Sequence, residues 1–205
     1  MTDDLRTAAV VLVGGRGSRM GGVVKPRLLL GGRSLFARTV GALAGAGVAP
    51  LVAVGPRIED DERVAWTREE PPHGGPVAGI AAALLALDAP WAFVLAGDLV
   101  HPAALVARLS AARAEAAEAG ALADAEGFVF TADGHPQWLA GLYRTAAMER
   151  ARAALGTVQS VAARALFEGL AITWLPDEDG LCDDIDTPAD LARAREQQQQ
   201  KEDTP

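Results

Sequence analysis

The sequence lacks the features of secreted and membrane-spanning proteins. Its single cysteine, Cys182, excludes an internal disulfide and gives secretion no support. No apolar run approaches the roughly 20 residues needed to cross a bilayer. The residues before the first apolar run are acidic, whereas a signal peptide begins with basic residues. We therefore expect a soluble, cytoplasmic protein with no membrane partner.

Positive charge is also scarce. The 205 residues carry a net charge of -8, and we expect no nucleic-acid partner because a phosphate backbone attracts a basic face. A single nucleotide needs only a local cluster of cations and N–H groups, so it stays open as a ligand. The length suits one domain, which we place at residues 1–196. A disordered polar tail is predicted over 197–205, because that run contains no apolar residue.

Strand-like apolar runs alternate with helix-like segments along the chain. Strands are predicted at 8–13, 50–55, 91–98 and 170–176, and helices at 34–47, 75–88, 102–120, 145–155, 158–169 and 187–195. Short strands around an Asp133-Gly134 turn are predicted within 121–144. The alternation indicates an α/β fold with a doubly wound, mostly parallel sheet and a small strand-and-turn insertion. Ligands of such folds bind at the carboxyl ends of the strands.

A glycine-rich loop follows the first predicted strand. The segment "GGRGSRMGGVVKP" (14–26) begins with five glycines in nine residues, which expose backbone N–H groups. Arg16, Arg19 and Lys25 add positive charge, a combination that suits a triphosphate. A P-loop is excluded because Val24 and Pro26 flank the lysine, and a dinucleotide-binding loop because Met20 stands where a glycine is needed.

This loop resembles the signature of the molybdenum cofactor guanylyltransferase family of MobA-like nucleotidyltransferases, roughly L-A-G-G-x-S/G-x-R-M-G-x-D-K. The matching residues are Leu12, Gly14, Gly15, Arg19, Met20, Gly21 and Lys25. The resemblance implies a Rossmann-like nucleotidyltransferase fold, with Gly17 joining the nucleotide-binding residues and with Arg19 and Lys25 in catalytic roles. It also implies that an aspartate positions the lysine. Because Val24 replaces that aspartate, we expect Lys25 to lack an anchor.

The segment "REEPPHGGPVAG" (68–79) is similar to the family's base-reading stretch. The resemblance implies that Glu69 and Gly75 bind the nucleotide. A carboxylate suits guanine, since it can accept from both N1–H and the 2-amino group, whereas cytosine offers only its 4-amino group. Glu69 could equally be a solvated loop charge, and Glu70 is an alternative reader. GTP is the expected donor.

Two acidic motifs resemble the family's magnesium site. In "FVLAGDLV" (93–100), Asp98 matches the aspartate that binds Mg²⁺, although an acid there could also cap the following helix. In "DDIDTPADL" (183–191), Asp184 and Asp186 match the closing motif, and Asp186 is expected to supply a second metal contact. Both acids could instead decorate the start of the last helix, where Thr187 and Asp190 suit a cap.

The acceptor side is predicted from "HPQWLAGLYR" (135–144), where Gln137 and Trp138 could meet a flat pterin or, for the aromatic, form core. The resemblance as a whole implies transfer of GMP from GTP to a phosphorylated molybdopterin-type acceptor, with transient contacts to proteins of the cofactor pathway. A cytidylyltransferase, another small-molecule nucleotidyltransferase of this fold, or a non-catalytic nucleotide- or partner-binding protein stay open as alternatives.

Overall fold

A seven-stranded sheet forms the centre of the molecule. The structure is a computed structural model that describes residues 6–14 and 23–202. In chain order the elements are β1 (Thr7–Leu12), a 3-10 turn (Lys25–Arg27), β2 (Leu29–Leu30), β3 (Arg33–Ser34), α1 (Leu35–Gly45), β4 (Leu51–Val54), β5 (Val64–Thr67), α2 (Pro76–Leu84), β6 (Trp91–Ala96), α3 (Pro102–Glu118), β7 (Gly127–Ala132), β8 (His135–Arg144), α4 (Thr145–Ala154), α5 (Ala163–Phe167), β9 (Ile172–Pro176) and α6 (Pro188–Glu202).

The strand order is β5-β4-β1-β6-β8-β7-β9. In the described part of the chain, β8 alone runs against the other strands of this sheet, pairing antiparallel with β6 and β7. The predicted doubly wound, mostly parallel α/β fold is therefore confirmed. The strand-and-turn insertion belongs to the main sheet as the β7–β8 hairpin, and Asp133 and Gly134 turn it with φ of 50° and 75°.

Two apolar layers cover the sheet. Along β1, Ala9 and Val11 face one layer and Ala8 and Val10 the other, all at most 1% exposed. Alternate residues of a strand point to opposite faces, and a strand buried on both faces is therefore apolar throughout. Helices α1 and α3 pack on the first face, and α2, α4 and α5 on the second. The two layers cover the faces of the sheet, so loops are left to form the carboxyl ends of the strands.

Several elements differ from the predictions. The sequence patterns missed the four-residue β5 and the β2–β3 hairpin, which are too short to show a period, and α5 is shorter than predicted. In the polar tail, which the sequence predicts to be disordered from residue 197, α6 continues as far as Glu202. Glutamine is a good helix former, and the amide oxygen of Gln198 accepts a hydrogen bond from Arg38 at 3.3 Å.

Within residues 6–14 and 23–202, no helix combines the length and the apolar character that a membrane span requires.

Candidate active site

Several of the predicted site residues lie where β1 and β6 end. These neighbouring strands run parallel, with Leu12 opposite Ala96. Gly14 therefore follows one strand beside Asp98, which follows the other. A Cβ placed on Gly14 would meet no atom of the described residues within 4 Å, so a ligand can approach this side of its backbone. Gly15, Gly17 and Arg19 lie outside the described residues, and their roles stay predictions.

A glycine lets the lysine segment approach Asp98. A Cβ on Gly97 would lie 3.1 Å from the carbonyl oxygen of Leu12 and 3.2 Å from Cγ of Pro26. The Gly97 N–H donates to that same Leu12 oxygen at 2.9 Å. Pro26 is buried in the 3-10 turn that Lys25 begins. The lack of a side chain at Gly97 thus allows this turn to pack over the end of β6.

Lys25 lies between two carboxylates. Its Nζ is 3.6 Å from Oδ2 of Asp98 and donates a hydrogen bond to Oδ1 of Asp186. The side chains of Lys25 and Asp98 are only 18% and 17% exposed. The expectation that Lys25 lacks an anchor is therefore wrong. Val24 is 39% exposed, and the missing aspartate at that position is replaced by an acid 161 residues along the chain.

Backbone contacts bring the closing motif to this edge. Leu99 and Asp184 form an isolated antiparallel bridge, and the Val100 N–H donates to the Asp183 carbonyl oxygen at 2.9 Å. Beyond Asp186, the Asp190 carboxylate accepts from the backbone N–H groups of Asp186 and Thr187 at 3.2 and 2.7 Å. These bonds fix the backbone on both sides of the acids.

The predicted start of the last helix is confirmed. The Thr187 hydroxyl accepts from the Asp190 N–H at 3.3 Å, while Asp190 accepts from the Thr187 N–H in return. This reciprocal pair satisfies N–H groups that a helix start leaves without partners. Pro188 occupies the first helical position, where a missing N–H costs nothing.

The cluster holds more negative charge than positive. Burial raises the pKa of Asp98, and the charge of Asp186 raises it further against the opposing effect of Lys25. The pKa of Asp184 rises to about 6, first because protein atoms displace water and then because Asp98 and Asp186 are close. Burial lowers the pKa of Lys25, but the bond to Asp186 and the nearby carboxylates outweigh it, and the pKa is raised. Three carboxylates facing one ammonium leave two negative charges.

This donor set suits a hard divalent cation. Mg²⁺ prefers oxygen and is often held by one or two carboxylates together with substrate phosphates and water. Asp98 and Asp186 offer such oxygens, and the two excess negative charges equal the charge of one ion. Among the described residues, no group of three or more acidic, His or Cys side chains is close enough to hold a metal by itself. The residues therefore fit an ion that arrives with phosphates.

Glu69 lies in the loop between β5 and α2. One of its carboxylate oxygens, Oε1, accepts a hydrogen bond from the His73 N–H at 2.9 Å. The loop ends at Gly75, whose φ of 88° strongly favours glycine and which precedes the first turn of α2. This hydrogen bond holds Glu69 in the loop, whereas a freely solvated charge would have no partner in the protein. Its second oxygen has no partner among the described residues.

A cavity of 370 Å³ adjoins the acidic cluster. Gln137 and Asp184 both line it. Trp138 instead packs on the opposite face of β8, with its ring centroid 6.1 Å from Phe167 and 5.6 Å from Trp174. Neighbouring strand residues point to opposite faces, so the structure separates the two residues predicted for the acceptor side and leaves only Gln137 at the cavity.

Solved structures share this architecture over nearly the whole chain. Molybdopterin-guanine dinucleotide biosynthesis protein A from Archaeoglobus fulgidus is 25% identical, with a TM-score of 0.63, covering 94% of this chain and 99% of that one. A nucleotidyl transferase from Methanothermobacter is 19% identical, with a TM-score of 0.68, covering 96% and 99%. The 2-C-methyl-D-erythritol 4-phosphate cytidylyltransferase from Thermus thermophilus is 18% identical, with a TM-score of 0.66, covering 95% and 100%.

A comparison with curated proteins found no match. The family model for the MobA-like NTP transferase domain matches residues 9–174, which include Asp98 and the whole seven-stranded sheet except the first two residues of β1 and the last two of β9. Because this match covers more than half of the chain, the chain belongs to the MobA-like NTP transferase family and is a nucleotidyltransferase.

Proposed function

We propose that this protein transfers GMP from GTP to the phosphate of a molybdopterin-type acceptor and releases pyrophosphate. The observation that carries the proposal is the position of Lys25, held by Asp98 and Asp186 beside the end of the glycine-rich loop. Membership of the family supports nucleotidyl transfer. Similarity to the Archaeoglobus fulgidus protein, whose title names molybdopterin-guanine dinucleotide biosynthesis, supports the acceptor class.

Nucleotidyl transfer requires correct placement of the reactants and stabilisation of the developing charge more than it requires a reactive side chain. An acceptor phosphate is already a nucleophile at neutral pH, so attack on the α-phosphorus needs no strong general base. Lys25 places positive charge beside the phosphates, where charge develops on the leaving pyrophosphate. Arg19 is assigned the same role from the sequence. Asp98 and Asp186 would hold Mg²⁺, which would supply further neutralisation of the phosphate oxygens.

The nucleotide base is assigned to the loop that begins at Glu69. Guanine recognition by a carboxylate uses two acceptors, one for N1–H and one for the 2-amino group. Oε1 of Glu69 already accepts from His73, yet each carboxylate oxygen has a second lone pair. The residue therefore holds its loop and reads the base at the same time.

Cytidylyl transfer is the second candidate, and the hydrogen bond from the His73 N–H to Glu69 favours it. With Oε1 engaged by the His73 N–H, a single oxygen of Glu69 is left without a partner in the described chain. One acceptor is sufficient for the single 4-amino donor of cytosine. Comparison of GTP with CTP therefore decides between the two functions.

The test is a matrix of reactions. The protein is incubated with Mg²⁺, molybdopterin and each of GTP, CTP, ATP and UTP, and released pyrophosphate is measured. We expect release with GTP, dependent on both metal and acceptor, and at least about 100-fold less in a Lys25→Gln variant. Release with CTP alone would assign the second candidate. Nucleotide binding without release from any triphosphate would refute transfer and assign a non-catalytic binding protein.

A further inference from the structure

A second cavity, of 210 Å³, lies beneath the last helix. Its polar walls are Arg38 from α1, His101 at the start of α3, and Gln197 and Gln198 from α6. Since one water occupies about 30 Å³ of liquid, the space holds several waters or one small polyatomic ion. In the part of the chain that the structure describes, no carboxylate lines it.

Arg38 brings an uncompensated positive charge to this cavity. Its two terminal nitrogens donate only to neutral oxygens, the amide of Gln198 at 3.3 Å and the carbonyl of Val100 at 3.2 Å. Its Nε is buried without any hydrogen-bond partner. Across residues 6–14 and 23–200, no acidic side chain forms an ion pair with it. A buried donor and a buried charge are both unfavourable when they lack partners.

The surroundings reinforce this charge. Burial and the neighbouring Arg33 lower the pKa of the Arg38 guanidinium, yet an arginine stays protonated in proteins. The 17-residue α3 begins at the cavity wall, and its first turn contains no acid and receives no side-chain cap. The positive end of a helix dipole favours an anion. The positive charge of Arg38 and the positive end of the α3 dipole therefore both favour an anion in this cavity.

We propose that this cavity binds a small oxyanion of the phosphate class, with Arg38 as its principal ligand. The guanidinium offers a planar set of donors that matches phosphate oxygens. The side-chain amide of Gln197, which also lines the cavity, can add a neutral donor. A bound anion is the counter-ion that Arg38 lacks among the described residues. The chain as a whole repels anions, because its net charge is -8.

The oxyanion has two sources. It is either free inorganic phosphate or an anionic group on the acceptor itself. The second source is structurally accessible because Val100, Ala194 and Gln197 line both this cavity and the larger one beside Asp184. The site itself does not depend on the proposed guanylyl transfer, since binding of phosphate is measured without any turnover.

The test measures binding of inorganic phosphate to the full chain by equilibrium dialysis in EDTA. We expect saturable binding that weakens at least about tenfold in Arg38→Gln. The matched control Arg152→Gln makes the same charge change on an exposed arginine of α4, on the opposite face of the sheet, and should keep the parent affinity. Lys25→Gln should keep it as well, because that lysine belongs to the nucleotide site.

Three outcomes would overturn the proposal: no phosphate binding by the parent, equal binding by Arg38→Gln, or loss of binding in Lys25→Gln. Thermal midpoints with and without phosphate check that the variants fold, and Arg38→Lys, which keeps the charge but loses the planar donors, should bind with intermediate affinity. Repeating the titration with saturating molybdopterin separates the sources. Weakened phosphate binding identifies the acceptor's own anionic group, and unchanged binding identifies the free ion.

Discussion

Replacing Asp184 by asparagine should stabilise the protein in the absence of metal. The pKa of this carboxyl is raised from 3.8 to about 6, so the folded state holds its proton more tightly than the unfolded chain. Stability is therefore lost as the pH rises from about 4 through about 6 and stays lower above that range. Asparagine cannot ionise, and the variant escapes this loss at neutral pH.

The size of the effect follows from the shift. About two pKa units correspond to about 3 kcal/mol if the whole shift counts. Asp184 is, however, an exposed residue, and solvent screening reduces such an interaction severalfold. We expect a gain of about 1 kcal/mol in the free energy of unfolding, which raises the thermal midpoint of a chain this long by about 2–4 °C.

Calorimetry at pH 7.5 in EDTA measures this gain, and Asp183→Asn is the matched control. Asp183 is exposed, and its replacement changes the net charge by the same single unit. At pH 4 the advantage of Asp184→Asn should vanish, because the parent carboxyl is then largely protonated when folded. Three results would show that the neighbours of Asp184 do not raise its pKa in the folded protein. These are a midpoint at pH 7.5 that does not rise, an equal rise in the control, and a rise that persists at pH 4.

Three further predictions concern turnover and nucleotide choice. Glu69→Gln keeps an oxygen for the His73 N–H and should weaken GTP binding by about 1–3 kcal/mol relative to CTP, while Glu70→Gln should not; equal losses for both nucleotides would indicate a loop role only. Asp98→Asn should lower pyrophosphate release at least about 100-fold without lowering the thermal midpoint, and normal magnesium-dependent release would exclude a metal role. Val24→Asp should change kcat by less than about twofold, because other acids already anchor the lysine; a tenfold increase would contradict that explanation.

Local sequence patterns were sufficient for most of the sheet. Apart from Thr7 at the start of β1, the runs at β1 and β6 are apolar at every position because both faces of these strands are buried. The carboxyl ends of these two strands indicate where the site lies even when no interatomic distance is known, because neighbouring parallel strands end at the same edge of the sheet. The β7–β8 hairpin was likewise evident from Asp133-Gly134, residues that tolerate the positive φ of a tight turn.

The ion pair between Lys25 and Asp186 could not be predicted from local sequence patterns. Lys25 and Asp186 are separated by 161 residues, and no local pattern reports a contact of that range. Asp184 was visible in the closing motif, yet its altered pKa depends on the positions of Asp98 and Asp186. The cavity at Arg38 left no signal at all, because an arginine in the middle of a helix reads as a solvated surface residue.

The bridge between Leu99 and Asp184 and the buried side chain of Ile185 attach the closing motif to the sheet, so the site is complete only when this segment has docked. The last strand of the sheet ends at Pro176, so a chain clipped before Asp183 contains every strand and both apolar layers but neither Asp184 nor Asp186. During synthesis the sheet is complete before these acids emerge. In mild denaturant, release of this short attachment removes the anchor of Lys25 while the core persists. Enzyme activity should therefore disappear at a lower denaturant concentration than the circular dichroism of the sheet.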